Sequence, residues 1–138
     1  MGFLRPHAER IYALLRIMTG FMFMFHGMQK LFGMFGGVPP GAPAFVIYVA
    51  GGIEFVGGVL ILIGLFTSPA AFLASGTMAA AFFMGHVIPA KGNILPIVNQ
   101  GELAALYCFV FLYISAHGSG IWSVDAARRG TTSRAVSA

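Results

Sequence analysis

Four long apolar segments dominate the chain, and short stretches rich in glycine, proline and polar residues separate them. The segments cover residues 11–32, 45–66, 69–88 and 97–117. Each is close to the roughly 20 residues that a helix needs to cross a bilayer. Their hydrophobicity is continuous rather than alternating, which favours helices over barrel strands. The pattern predicts an all-α fold, an integral membrane four-transmembrane-helix bundle that forms a single domain over residues 1–138.

The connections between the segments have the composition of turns. Residues 33–44 and 89–96 are rich in glycine and proline, as loops are. Ser68 and Pro69 suit the N-cap and first turn of the third helix. Gly118 is placed to end the fourth helix. Residues 118–138 then form a tail, which we expect to fray from Thr131 onward.

Composition supports a membrane protein and excludes several other classes. Only 9% of the residues are charged, whereas a soluble domain averages about 25%. A chain so apolar and aromatic is not intrinsically disordered. The single cysteine, Cys108, excludes both a disulfide framework and exchange between paired thiols. The sequence contains no motif for a covalent haem, a flavin or a nucleotide.

The distribution of basic residues predicts the orientation. An even number of spans places both termini on one side, together with five arginines: Arg5, Arg10, Arg128, Arg129 and Arg134. The opposite side carries Lys30 and Lys91. The positive-inside rule therefore predicts cytoplasmic termini and a multi-pass protein of the cell inner (plasma) membrane. The net charge of +4 then reflects this orientation and contact with anionic lipid. No nucleic-acid partner is indicated, because no soluble basic face is present.

Each predicted helix has one stripe of small or polar residues, which should face the bundle interior. The stripes are Tyr12, Arg16, Gly20, Phe23, Gly27 and Lys30 in the first helix; Gly51, Glu54, Gly58, Ile61 and Leu65 in the second; Ala71, Ser75, Ala79, Phe82 and His86 in the third; and Glu102, Leu106, Phe109 and Tyr113 in the fourth. Arg16 lies ~8 Å inside the cytoplasmic boundary, so its side chain is expected to snorkel to the interface.

Four ionisable residues, one from each helix, are predicted to lie at matched depth. They are His26, Glu54, His86 and Glu102, at ~18–25 Å from the cytoplasmic end for a rise of about 1.5 Å per residue. Ionisable groups inside a membrane are functional candidates by default, so these residues form the predicted binding pocket. The alternative is that they only hydrogen-bond one another and fix helix register. No metal site is predicted, because no recognised ligand spacing is present.

A set of short motifs extends from Arg16 to Asp125: Arg16 with Gly20, 25–27 and 29–33 in the first helix; 54–58 and 64–67 in the second; 83–86 in the third; and 99–104 with 118–125 in the fourth helix and its end. Together these motifs resemble those of the DoxX family. Val124 replaces the usual leucine of the closing motif. The resemblance implies a small four-helix protein of the bacterial or archaeal inner membrane. Some relatives look like subunits of quinone-reducing enzymes such as thiosulfate:quinone oxidoreductase, and others associate with soluble redox enzymes.

The leading hypothesis is a quinone-interacting subunit of a membrane oxidoreductase complex. A quinone needs partners for its two carbonyl oxygens and groups that exchange protons, which histidine and a buried carboxyl group supply. Gaps beside Gly51 and Gly58 are expected to admit its isoprenoid tail. A protein partner or a homo-oligomer is also expected, since electrons must enter from elsewhere.

Two other hypotheses remain open. The second hypothesis is a non-catalytic scaffold or assembly subunit whose segment 122–129 docks a soluble redox partner. The third is a transporter or channel for protons or small solutes, although no inverted repeat is evident.

Overall fold

The computed structural model describes residues 2–136, with side chains described up to Gly130. Six α-helical elements follow in order: α1 (Ala8–Phe32), α2 (Val46–Ile63), α3 (Thr67–Val87), α4 (Pro96–Asn99), α5 (Glu102–His117) and α6 (Val124–Val136). The first turns of α2 (Val46–Ala50) and the last turns of α3 (Phe83–Val87) are π-helical. We call the end of the bundle where α1 begins and α5 ends the proximal end and the opposite end the distal end.

The predicted all-α membrane bundle is confirmed. Among the described residues, α1, α2 and α3 are long and apolar enough to cross a membrane. The predicted fourth span is broken, because Gln100 adopts a left-handed backbone (φ 59°) between α4 and α5. The remaining α5 has 16 residues and is about 24 Å long. The Asn99 side-chain carbonyl accepts a hydrogen bond from the Gly101 amide and stabilises this break.

Helices α1 and α2 form one closely packed pair. At Gly20, an added Cβ would lie 2.6 Å from the Leu62 amide nitrogen and 2.8 Å from the Gly58 carbonyl oxygen. The two backbones therefore touch without side chains between them, as small residues allow in lipid. The predicted interior stripes of both helices are largely buried in the structure.

Helices α3 and α5 form the second closely packed pair. The core between the two pairs is mainly aromatic and aliphatic, with Phe23, Ile61, Tyr107, Phe111 and Ile114 all buried. The outer faces expose large apolar side chains on every long helix. Exposed apolar area on this scale is unfavourable in water and is expected for a surface that contacts lipid.

The interior face of α5 differs from the predicted one. Leu106, Phe109 and Tyr113 are more than half exposed, whereas the buried stripe is Ala104, Tyr107, Phe111 and Ile114. The helix is rotated by about one residue relative to the prediction. Glu102 set the predicted face, but α5 is apolar on all sides, and packing against α3 and α1 decides which stripe is buried.

A polar cluster closes the proximal end. Arg16 is fully buried and donates hydrogen bonds to four backbone carbonyls, those of Ile61 (2.7 Å), Leu62 (2.8 Å), Ile121 (3.3 Å) and Trp122 (2.7 Å). The prediction that its side chain snorkels to the interface is therefore wrong. Two of the guanidinium nitrogens, Nη1 and Nη2, find partners inside the bundle because the end of α2 and the segment before α6 present backbone carbonyls to them, whereas Nε has no hydrogen-bond partner among the described residues.

Asp125 joins the same end of the bundle to α3. Its carboxylate accepts hydrogen bonds from the amides of Phe66 (3.2 Å) and Thr67 (3.3 Å), and its own amide donates to the Gly64 carbonyl (2.9 Å). The predicted N-cap at Ser68 is wrong, since α3 begins at Thr67 and its first amides are capped from a distant part of the chain.

The structure also shows which residue ends α5 and what conformation much of the following tail adopts. Gly118 ends α5 with a positive φ of 88°, as predicted. The tail is more ordered than expected, because α6 continues through Val136. The last two residues, 137–138, lie outside the described residues.

Candidate functional site

A cavity of about 650 Å³ lies in the distal half of the bundle, between α1, α2, α3 and α5. Its lining is mostly apolar and includes Phe23, Val46, Ile53, Met78 and Met84. The polar side chains that reach it are His26, Lys30, Glu54, Thr77, His86, Gln100 and Tyr107. Small-molecule sites typically have this size and this mixture of apolar walls with a few polar groups.

An ion pair stands at the wall formed by α1 and α2. Lys30 Nζ lies 2.5 Å from Glu54 Oε2, with 18% of the lysine side chain and 3% of the glutamate side chain exposed. Glu54 is eight residues from the start of α2, or about 12 Å along the helix. The carboxylate is thus held at depth, and Lys30 connects it to the distal surface.

His26 lies one turn before Lys30 on the same helix and faces the same cavity. Its ring stands edge-on to the Tyr107 ring, with the two centroids 6.1 Å apart. Tyr107 in turn stacks on Phe111, with centroids 5.4 Å apart. These rings make a stiff wall at the α1–α5 side, because each is held by its neighbour.

His86 reaches the cavity from α3. Its Nδ1–H donates a hydrogen bond to the Asn99 carbonyl oxygen at 3.2 Å, which fixes the ring. Nε2 is then the nitrogen that can accept a hydrogen bond. The π-helical turn that carries His86 and the break before α5 together bring this contact about.

The structure therefore brings together three of the four predicted residues. His26, Glu54 and His86 line one cavity, whereas Glu102 is exposed at the start of α5 and does not line it. The predicted common pocket is wrong for Glu102, because the break at Gln100 and the rotation of α5 turn that side chain outward. The role of His26, Glu54 and His86 in binding a ligand stays a prediction.

Four of the polar residues that reach the cavity were not predicted as part of the site: Lys30, Thr77, Gln100 and Tyr107. Tyr107 belongs to the 3-4-3 spacing of Ala104, Tyr107, Phe111 and Ile114, which was the signal available for it. Lys30 lies four residues after His26, a spacing that places both side chains on one helix face. Its pairing with Glu54 depends on how α1 and α2 are aligned, and the sequence does not show that.

Among the side chains that the structure describes, residues 2–130, no group of three or more His, Cys, Asp or Glu is arranged to hold a metal ion. The cavity's ionisable groups are instead one ion pair and two separate histidines. That arrangement offers hydrogen-bond donors and acceptors around an apolar space.

The sequence match to a known protein family covers the three helices that carry His26, Glu54 and His86. The DoxX family model matches residues 11–87, which is more than half of the chain. This chain belongs to the DoxX family. The match ends at the last turn of α3, so α4, α5 and α6 lie beyond it. No solved structure was found to match the chain.

Two curated relatives are similar to this chain over most of its length. A protein of Haemophilus influenzae (strain Rd), described as "Uncharacterized protein", is 43% identical over 131 residues, covering 91% of this chain and 96% of the relative. "Putative oxidoreductase CatD" of Bacillus subtilis (strain 168) is 32% identical over 118 residues, covering 81% of this chain and 82% of the relative. This DoxX protein is therefore a membrane protein with a distant relative named as an oxidoreductase.

Proposed function

We propose that this DoxX protein binds the head group of a quinone in the distal cavity, as the quinone-interacting subunit of a membrane oxidoreductase complex. The observation that carries the proposal is the convergence of His26, His86 and the Lys30–Glu54 ion pair on one apolar cavity. The name of the Bacillus subtilis relative agrees with redox work but does not specify a substrate.

The residues present fit a flat ring with a polar atom at each end. On the α1 and α2 side, Lys30 and His26 offer donors to one ring oxygen. On the α3 side, Nε2 of His86 offers an acceptor to the hydroxyl group that the opposite end of the ring carries in the reduced quinol form. Between the two, Phe23, Ile53 and Met78 offer apolar contact to the ring faces. A bound quinone would take up two electrons and two protons to become a quinol, and Glu54 with Lys30 would hold one of these protons near the distal surface.

The electron donor is proposed to be a separate protein of the complex. The cavity side chains supply hydrogen bonds and proton exchange, so a redox partner would have to supply the electrons. We also propose that the termini face the cytoplasm in the inner membrane, since arginine is concentrated at the proximal end. The distal cavity would then lie toward the outer face of that membrane.

A direct binding measurement tests the quinone proposal. The protein in nanodiscs is titrated with decylubiquinone and with menaquinone-4 by calorimetry, and empty nanodiscs correct for partition into lipid. We expect saturable binding that Glu54→Gln and His86→Ala weaken by about tenfold each, as loss of one good polar contact would. Glu102→Gln is the matched control, because Glu102 is exposed. Binding that is unchanged in both cavity variants would contradict the proposal.

A second candidate function is that of a scaffold that docks a soluble redox protein at the proximal end. The observation that favours it is Trp122, a residue that is 57% exposed while its carbonyl oxygen accepts a hydrogen bond from Arg16. A rigidly presented aromatic side chain suits a contact with a partner. Stoichiometric co-purification of a soluble enzyme that Trp122→Ala abolishes and Glu54→Gln leaves intact would favour this function. Loss in the Glu54 variant alone would argue against it.

A further inference from the structure

The apolar wall of the distal cavity continues to the lipid-facing surface between α2 and α3. Val49 on α2 and Met84 on α3 both line the cavity, yet they are 58% and 51% exposed. Phe45, just before α2, also lines it and is half exposed. The cavity therefore opens on the side of the bundle, between α2 and α3, and not only at its distal end.

The way the helices pair explains why this opening is there. The closest packing is within the pairs α1–α2 and α3–α5. Helices α2 and α3 are joined at the proximal end by a turn of three residues, Gly64, Leu65 and Phe66, and they contact each other less extensively. A short turn at one end holds the helices together there and leaves the distal ends free to diverge.

Both edges of the opening are π-helical. The turns Val46–Ala50 of α2 and Phe83–Val87 of α3 carry the side chains that line it, among them Val49 and Met84. In α3 the Ile88 amide bonds the Phe83 carbonyl five residues back, at 3.0 Å. π-helical turns are rare and occur frequently at functional sites. Here two of them face one another across the same gap.

The gaps predicted beside Gly51 and Gly58 are not available to a ligand. A Cβ at Gly51 would meet the Lys30 Cβ at 2.9 Å, and one at Gly58 would meet the Met24 amide nitrogen at 2.6 Å. Helix α1 therefore fills both positions. The expectation that a tail enters beside these glycines is wrong, because their small size serves the packing of α1 on α2.

We infer that the cavity takes its ligand from the bilayer through the gap between the π-helical turns of α2 and α3. The ligand is a lipid-soluble molecule whose polar head group lies in the cavity and whose apolar tail stays in this gap. This inference rests on the proposed function, which supplies the head group. It adds the class of ligand, tailed rather than water-soluble, and the route that the tail follows.

The test compares tailed and tailless ligands in nanodiscs. Decylubiquinone and its tailless ring, 2,3-dimethoxy-5-methyl-1,4-benzoquinone, are titrated against the wild type, Val49→Trp and Met84→Trp, with empty nanodiscs as blanks. We expect each tryptophan to weaken binding of decylubiquinone by about tenfold and to change binding of the tailless ring by less than about twofold. A tenfold loss corresponds to the burial of about two methylene groups of the tail.

Val56→Trp is the matched control. Val56 lies seven residues after Val49 on the same face of α2, is 55% exposed and does not line the cavity. We expect Val56→Trp to bind both ligands as the wild type does. An equal loss in Val56→Trp, or unchanged binding of decylubiquinone in both gap variants, would overturn the proposed route while leaving the head-group site in place. If neither ligand binds the wild type, the proposed function itself fails.

A cross-linking experiment supplies a second readout that does not depend on affinity. A benzoquinone with a diazirine in its alkyl tail is photolysed in nanodiscs with the wild-type protein, and the modified peptides are identified by mass spectrometry. We expect adducts within 45–49 and 83–88. Adducts confined to the contact between α1 and α2 or to α5 would overturn the proposed route.

Discussion

The Lys30–Glu54 ion pair makes a quantitative prediction about stability. Two unit charges about 4 Å apart interact by about 4 kcal/mol at an effective dielectric constant of 20. Because 18% of the Lys30 side chain is exposed, we expect screening to reduce the coupling to about 2 kcal/mol. The two single variants should differ in how much they lower the free energy of unfolding. Lys30→Met leaves a buried carboxylate unpaired and should lower it by about 3 kcal/mol. Glu54→Gln should cost about 1 kcal/mol, since Lys30 can extend to the distal surface.

The measurement is a double-mutant cycle. The free energy of unfolding is obtained from SDS titration in mixed micelles, followed by the fluorescence of the single tryptophan, Trp122. We expect the double variant Lys30→Met/Glu54→Gln to lose about 2 kcal/mol, less than the single losses combined. Lys91→Met, at an exposed position in the distal loop, is the control and should change stability by less than about 0.5 kcal/mol. Equal single losses that simply add would refute the reasoning.

Three further predictions use the same unfolding assay. Gly58→Ala should lower the free energy of unfolding by about 2 kcal/mol because the new Cβ meets the α1 backbone. Gly52→Ala, whose Cβ would lie in open space, should be neutral or slightly stabilising. Similar results for the two variants would contradict the close packing of α1 and α2. Asp125→Ala should lower the free energy of unfolding by about 1–2 kcal/mol, because it leaves two amides at the start of α3 without an acceptor. An unchanged midpoint of the SDS unfolding curve would show that this cap contributes nothing to stability. Arg16→Met should lower the free energy of unfolding by about 3 kcal/mol, because it removes the hydrogen bonds to backbone carbonyls. Arg10→Met, an exposed control on the same helix, should lower it by less than about 0.5 kcal/mol. An Arg16→Met protein as stable as the wild type would refute the structural role of Arg16.

Much of the candidate site follows from residue type and spacing. An ionisable residue inside an apolar segment must find a partner, so His26, Glu54 and His86 are conspicuous in the sequence. The same argument failed for Glu102, since it depended on an unbroken helix through residues 97–117. The left-handed backbone at Gln100 comes from the packing of Gly101 against Phe82 and from the Asn99 hydrogen bond, and neither contact has a sequence signal.

The sequence by itself determined the class of fold and the faces of α1 and α2. Long apolar segments can satisfy their backbone only as helices in lipid, and glycine and polar residues repeat along α1 and α2 with helical spacing. Only the tertiary structure decided which residues meet. It placed Lys30 against Glu54, rotated α5 so that Tyr107 faces inward, buried Arg16 among four carbonyls and left a gap between α2 and α3. The physical reason is that helix formation depends on neighbours along the chain, whereas helix alignment, rotation and divergence depend on how side-chain shapes from distant segments fit together.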